Sequence, residues 1–394
     1  MTPSEAEPGG RLTLGLALFA IGAASISGQL ILLRELSVAF FGVELVYLLG
    51  LGTWLLGGGV GAALAARWRT VALPDLAVWL VLFALALGVE LSLLRGARRL
   101  LGTLPGAYLS PAAGAAALAA GLMPLALIGG VLFARAVHCA VARGRTFAWA
   151  YAIESVGALG GGLSVSWALA GGANAVELAA VAALTALFAA SATLAAGRTM
   201  ARLGVTACGA LAAVALAQSS VLDGLLTRWN HAALVESRDS PYARYTVTRR
   251  AGQVVFFVND ALAFESQGVD AETFVDPVLL AHPRPRRVAV LGLASGDLVH
   301  EVLRHNPTAV DVVELDAVAL ELARRYLPTD RTAALDDARV RLVTEDPRRF
   351  LGTAPAYDVV LVGVGDPDSG QANRFYTREF FALCARRLAP DGVL

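Results

Sequence analysis

Charge is scarce in this chain. Asp, Glu, Lys and Arg make up 16% of its 394 residues, against 56% hydrophobic residues, a balance too apolar for an ordinary soluble protein. The scarcity is uneven. Residues 12–223 are mostly Ala, Leu, Gly and Val with few acids, and from about Asp239 onward charges return at normal globular density. Net charge is zero, so nothing points to nucleic acid as a partner. The three cysteines, Cys139, Cys208 and Cys384, are scattered without metal or disulfide spacing; they read as inert thiols, and no metal is expected. The N-terminal MTPSEAEPGGR lacks a basic stretch, and no small-residue cleavage site follows the first apolar run. That run therefore reads as a retained span and not as a signal peptide.

What the first half does have is apolar runs of about 20 residues, the length that crosses a bilayer. They lie near Leu12–Leu33, Glu44–Ala66, Leu76–Leu94, Ala113–Val137, Ala148–Ala170, Ala175–Ala196 and Leu203–Val221, the last shortened by Gln218, Ser219 and Ser220. The expectation is a multi-pass protein of the cell (inner) membrane with the lipid bilayer as a partner. Loops with Arg67 and Arg69, with Arg135, Arg143 and Arg145, and with Arg198 and Arg202 fall on one side, and Arg95, Arg98 and Arg99 on the other. The first set is mildly favoured as cytoplasmic, which after seven spans leaves the soluble part outside. A domain using a cytosolic nucleoside belongs inside, and the cytoplasmic placement is the one expected. Gly57–Gly61 and Gly157–Gly161 are GxxxG pairs, read as helix-packing surfaces. Arg34, Glu35, Glu44, Glu90 and Glu154 are ionisable groups in apolar surroundings, where such groups need an interior partner. Glu35 and Glu154 are the functional candidates among them.

Residues 222–231 read as a linker. Tyr245–Arg249 and Val254–Val258 are strands joined through Ala251-Gly252, and Asn259-Asp260 turns into Ala261–Phe264, the turn chemistry of hairpins. An acidic stretch follows with Asp270, Glu272 and Asp276. Then comes Val288–Asp316, VAVLGLASGDLVHEVLRHNPTAVDVVELD. It reads as a buried strand (Val288–Leu291), a Gly-containing turn (Gly292–Gly296), a helix (Asp297–His305) and a second strand (Val310–Leu315) tipped by Glu314 and Asp316, which is one βαβ unit. Ligands of open α/β sheets sit outside the carboxyl ends of such strands. Gly292 and Gly296 do not make a GxGxxG, and the spacing suits a nucleoside held by ribose and base better than a pyrophosphate. Acids recur at later strand tips: Glu345 and Asp346 after Val340–Val343, and Asp366 after Asp358–Val362. Ala317–Tyr326, opened by Asp316, and Thr377–Leu388 read as helices, Pro390-Asp391-Gly392 as a turn, and Val393-Leu394 as the start of a strand. A chain that stops there reads as cut short.

The expected architecture is an α-helical polytopic membrane domain of about seven spans over 1–222, and a linker and β-hairpin region over 223–283. An α/β Rossmann-like, methyltransferase-type domain over 284–394 completes it. Ser240–Arg250, His282–Asp297, Val312–Asp316, Arg339–Leu351 and Gly365–Leu394 resemble the spermidine/spermine synthase family, the polyamine aminopropyltransferases. Ile26–Leu36 and Trp149–Gly162 resemble the multi-pass region of a bacterial subgroup of it.

The resemblance implies aminopropyl transfer from decarboxylated S-adenosylmethionine, a co-substrate and not a bound cofactor, to a diamine such as putrescine. It implies donor binding by Gly292, Ser295, Gly296, Glu314 (ribose) and Asp346 (adenine amino group). It implies acceptor binding by Glu272, Asp366 and Tyr376, with Asp366 as the catalytic carboxylate, and leaves a homo-oligomer open. The chain departs from the family pattern at four places. Ser295 stands where the glycine loop carries an acid, and Gly363 where the catalytic acid stands. Asp270-Ala271-Glu272 replaces a Tyr-His-Glu or Tyr-Gln type triplet, and Ala243 replaces a Gln. Asp270, Glu272, Asp366 and Asp368 are the acids available to substitute. Two other readings stay open: a nucleoside-binding pseudo-enzyme, and a polyamine transporter with a fused sensing domain. A methyltransferase shares the sheet and donor type, but the Gly365–Phe380 segment argues against it.

Overall fold

The computed structural model describes residues 8–68, 72–104, 106–107, 109–194, 198–292, 296–365, 367 and 369–394. It separates into two compact units, Met1–Ala232 and Ala233–Leu394.

The first unit is helical. Its helices are α1 (Pro8–Ala39), α2 (Leu45–Ala65), α3 (Asp75–Arg95), α4 (Ala97–Leu100), α5 (Pro111–Ala142), α6 (Phe147–Ala170), α7 (Ala175–Thr193), α8 (Thr199–Ala217) and α9 (Ser219–Thr227). Ser110, Thr146 and Asn174 open α5, α6 and α7 by accepting the N–H three residues on, which satisfies a donor the helix itself cannot. Six stretches of the described residues are long and apolar enough to cross a membrane by length and composition: Arg11–Ala39, α2, α3, α5, α7 and α8. The expectation of seven is corrected on that measure. The remaining run does form α6, but its glycines, serines and Glu154 dilute its hydropathy. Those glycines serve packing instead. A Cβ at Gly157 or Gly161 would run into the carbonyl oxygen of Phe19 or Ala23 on α1, and one at Gly61 into that of Leu127 on α5. Both GxxxG pairs are thus close backbone crossings. The run expected to reach Val221 breaks at Gln218, and part of the expected linker is the helix α9. Arg69 and Ala196 lie outside the described residues.

The second unit begins with a four-stranded antiparallel meander, β1 (Leu234–Asp239), β2 (Arg244–Arg250), β3 (Gln253–Val258) and β4 (Ala261–Glu265). Its turns hold Ala251 and Gly252, then Asn259 and Asp260, all at positive φ, the backbone that two-residue hairpin loops demand. Then follow α10 (Asp270–Ala281), β5 (Arg287–Leu291), α11 (Gly296–Arg304), β6 (Ala309–Glu314), α12 (Ala317–Tyr326), α13 (Thr329–Leu335) and β7 (Val340–Thr344). The unit closes with α14 (Pro347–Thr353), β8 (Tyr357–Val362), α15 (Gly370–Asn373), α16 (Arg378–Ala385) and β9 (Leu388–Val393).

The five later strands form a parallel sheet in the order β7-β6-β5-β8-β9, the doubly wound arrangement whose order reverses between β5 and β8. Val288 and Val290 of β5 pack on one face with Val275, Val299 and Leu335, while Ala289 and Leu291 pack on the other with Phe350 and Phe380. A strand covered on both faces reads as a continuous apolar run, which is why this one is visible in the sequence. The turn expected at Pro390-Asp391-Gly392 is instead part of β9, which pairs Leu388 with Tyr357 and Val393 with Val359 across an irregular register. An edge strand with a bulge accommodates Pro and Gly.

Candidate active site

The site is built where β5 and β8 end. Gly292 leaves β5 with φ +74°, donates its N–H to Val313 O at 2.8 Å, and lies beside Gly363, whose N–H donates to Leu291 O at 2.9 Å. A Cβ on Gly292 would sit 3.3 Å from Val364 Cγ2. Glycine is therefore required here twice, by conformation and by the closeness of the two strand ends. Four residues on, Gly296 opens α11 against α13: a Cβ there would meet Arg331 O at 2.5 Å.

A cavity of about 270 Å³ lies at this point. It is lined by the end of β4, the first turns of α10 and α11, and Val362, Gly363 and Val364 at the end of β8. Its walls are apolar (Phe264, Phe274, Leu298), with the acids Glu265, Asp270 and Asp297 among them. Asp297 is 7% exposed, and both its carboxylate oxygens are buried without a hydrogen bond. Arg331 Nε stands 3.2 Å from Oδ1, at ion-pair distance but outside hydrogen-bond geometry. Burial pushes the Asp297 carboxyl up to about 6, against the pull of Arg331.

The next strand tips hold the other acids. Glu314 Oε1 accepts the Asp316 N–H at 3.1 Å. Asp316 caps α12 through the Val318 N–H at 3.0 Å and accepts the Ser240 hydroxyl. Tyr245 lies against the same two acids; burial first, then the charges of Asp316 and Glu314, push its hydroxyl upward. Asp346 caps α14 through the Arg348 N–H at 2.8 Å and pairs with Arg374 Nη1 at 2.8 Å. Of the two expected donor-binding acids, Glu314 and Asp346, the second keeps capacity for a ligand beside these partners, since an ionised carboxylate has about four lone-pair sites. Neither lines the cavity.

The expected acceptor group is only partly brought together. Glu272 does not line the cavity; it is exposed and faces Arg304 at 3.4 Å, because the turn of α10 carries Asp270, Ala271 and Phe274 inward instead. The Tyr376 hydroxyl reaches the carbonyls of Val364 and Gly365 at 3.0 and 3.1 Å and so ties down the segment after β8. Gly363 is buried and lines the cavity. Ser295, Asp366 and Asp368 lie outside the described residues.

Residues 269–394 match a family model described as the spermine/spermidine synthase domain. Over these residues the chain is similar to that domain. The "Polyamine aminopropyltransferase 2" of Pseudomonas aeruginosa is 41% identical over 126 residues, 31% of this chain and 36% of the relative. The "Polyamine aminopropyltransferase" of Pyrobaculum calidifontis is 38% identical over 129 residues, 31% of this chain and 45% of the relative. A crystal structure of a spermidine synthase with the transition-state analogue AdoDATO shares 25% identity at a TM-score of 0.39, covering 41% of this chain and 56% of that one. The chain thus spans less than half the length of these two curated relatives.

Within residues 269–394, Gly292, Gly296, Gly363 and the strand-tip acids are legible in the sequence, and Asp297 is not. Its signal was an acid directly after Gly296, flanked by Leu298 and Val299; an acid at a helix start ordinarily reads as a cap. Tyr245 and Ser240 were visible as part of the SPYARY segment, but not their hold on Asp316.

The membrane candidates are placed differently from each other. Glu35 is 2% exposed and paired with Arg95, whose Nη2 donates to Glu35 Oε1 at 3.2 Å and to Asp223 Oδ1 at 2.7 Å, and whose Nη1 donates to Thr227 at 2.8 Å. That closed network pins α9 to α1 and α3. Glu154 is half-buried on α6 beside the Gly22 crossing. Glu90 Oε1 accepts the Leu125 N–H at 2.7 Å, next to Pro124, which lacks an N–H and disturbs the helix ladder.

Proposed function

We propose that this protein is a membrane-embedded polyamine aminopropyltransferase that uses decarboxylated S-adenosylmethionine and a diamine such as putrescine. The observation that carries the reading is the acid-bearing apolar cavity at the β5/β8 switch point of a spermine/spermidine synthase domain. An open α/β sheet takes its ligand there. The apolar walls suit methylene chains and the carboxylates suit ammonium groups. Glu314 takes the donor ribose hydroxyls and Asp346 the adenine amino group, at the tips of β6 and β7, the two strands on one side of β5.

The reaction needs no group beyond the two substrates and a base. The donor's sulfonium makes its adjacent propyl carbon electrophilic. The free amine nitrogen of the diamine attacks that carbon, the C–S bond breaks with its electron pair going to sulfur, and neutral methylthioadenosine leaves. The proton lost from the nitrogen passes to a carboxylate. Gly363 has no side chain to take it, and Asp366 is the base assigned. The sheet's part is to hold nitrogen, carbon and sulfur in line, which is worth several kcal/mol of barrier.

The six apolar stretches and exposed side chains such as Leu55 (73%), Trp167 (83%) and Leu211 (68%) support a bilayer around the first unit, since hydrocarbon is the solvent such surfaces fit. The second unit is placed in the cytoplasm, where a nucleoside donor is made. The test is spermidine formation by the detergent-solubilised full chain given donor and putrescine. Asp366→Asn is expected to lower the rate by about 10²–10⁴-fold, the usual worth of a general base; an unchanged rate would remove Asp366 from the chemistry.

A further inference from the structure

Asp297 is not accounted for by packing. Buried carboxylates in folded proteins are paired and hydrogen-bonded, because an unsatisfied one is costly. This one has neither oxygen hydrogen-bonded. Its cationic neighbour, Arg331, is shared: it stands 3.2 Å from Asp297, 3.2 Å from Glu301 and 3.3 Å from Asp330. Glu301 already has Arg304 at 2.6 Å. The acids on this side of α11 therefore exceed the cations that reach them, and the excess sits on a group that lines a cavity.

The cavity tells what would meet it. Among the described residues its lining carries Glu265, Asp270 and Asp297 and no Lys, Arg or His. Glu265 is already held by Gln253 Nε2 at 2.5 Å, whereas Asp270 is exposed at the start of α10. At about 270 Å³ the space falls below the roughly 300–1,000 Å³ of pockets that enclose drug-sized ligands. It suits a short alkyl chain with a charged end. Phe264, Phe274 and Leu298 supply the apolar contact for methylenes.

We infer that Asp297 is the anchor for the buried ammonium of the acceptor diamine, with Asp270 facing the second ammonium nearer solvent. The inference rests on the aminopropyltransferase reading for the identity of the amine, and on the geometry alone for the site. It assigns Asp297 a binding role that the family pattern gives to other positions. It also couples binding to protons. In the folded chain Asp297 ionises near 6, and an ammonium can pair only with the ionised form. Affinity therefore falls as pH drops through about 6, and binding near that pH releases a proton from Asp297. The other titrating or charged groups facing it are His300 and Glu301 on α11, Arg331 and Asp330 on α13, and Asp270 on α10.

The test is calorimetric titration of the detergent-solubilised full chain with putrescine at pH 7.5 and pH 5, and at pH 6 in two buffers of different ionisation heat. The wild type is expected to lose affinity at least tenfold on going to pH 5 and to release protons at pH 6. Asp297→Asn is expected to bind at least tenfold more weakly at pH 7.5 and to show neither pH effect; His300→Gln is expected to keep both. Equal affinity in Asp297→Asn, or a wild-type affinity that is flat between pH 5 and 7.5, overturns the proposal. If the Asn variant does not fold, the wild-type and His300→Gln proton release decides alone. The transferase assay is separate. Turnover with Asp297-independent binding sinks the anchor and leaves the activity, and Asp297-dependent binding without turnover does the reverse.

Discussion

Folding makes the Asp297 carboxyl harder to ionise, and that has a stability consequence apart from any ligand. Its carboxyl titrates near 6 in the folded chain and at an ordinary 3.8 when free, so the folded state holds the proton more tightly. The contribution is stabilising below about pH 4 and is lost as pH rises through 6. At pH 7.5 the group is a net burden. A pKa unit corresponds to about 1.4 kcal/mol, and screening by solvent at the cavity reduces it, so Asp297→Asn should gain on the order of 1–2 kcal/mol there and nothing below pH 4. Hydrogen exchange of the β5 and α11 amides at pH 7.5 reads this, and faster exchange in the variant would contradict it. Gly296 carries the opposite expectation. A Cβ there meets Arg331 O at 2.5 Å, whereas one at Gly352 meets nothing within 4 Å. Gly296→Ala should destabilise the second unit by roughly 1–3 kcal/mol and Gly352→Ala should be neutral or slightly stabilising, measured by denaturant-dependent exchange in α11 and α13. Equal effects would contradict the close approach of α11 and α13.

At the scale of elements, some segments announce themselves and others hide for a physical reason. β5 is legible because it is buried on both faces and ends at Gly292. The helix α12 is legible because Asp316 both ends β6 and caps the helix. β1, with the sequence LVESRD, is not: Glu236 and Arg238 read as solvated, yet they pair with Arg325 and Glu321 on α12 at 3.1 and 2.7 Å. β9 hides behind Pro390 and Gly392. Of the site, glycines and strand-tip acids are readable because spacing fixes them. Asp297 and Glu272 are not, because one helical position decides which acid faces the cavity and which faces Arg304. In the first unit the GxxxG pairs are readable as packing and carry a direct test. Gly157→Leu places a side chain into Phe19's backbone and should abolish folded yield in detergent, while Gly59→Ala, with nothing within 4 Å, should leave elution on size exclusion unchanged. Normal yield of the Gly157 variant would separate α1 from α6.

On the proposed placement the molecule divides its chemistry between two solvents. The first unit buries few charges, among them Arg95, which is tied to Glu35 and Asp223; the second buries the acid Asp297 at the wall of a cavity. A chain so divided should stay with the membrane fraction through alkaline carbonate extraction. Its residues 233–394 should resist protease added to intact cells and be cut once the cells are opened. Release into the supernatant, or cleavage in intact cells, would contradict the proposed placement. The activity proposed for residues 269–394 is aminopropyl transfer. Methylthioadenosine release from decarboxylated S-adenosylmethionine by the purified full chain tests it most directly. Release that requires putrescine and matches spermidine formed one for one is the expected result; donor that binds but yields no methylthioadenosine in the presence of putrescine would contradict the proposed activity.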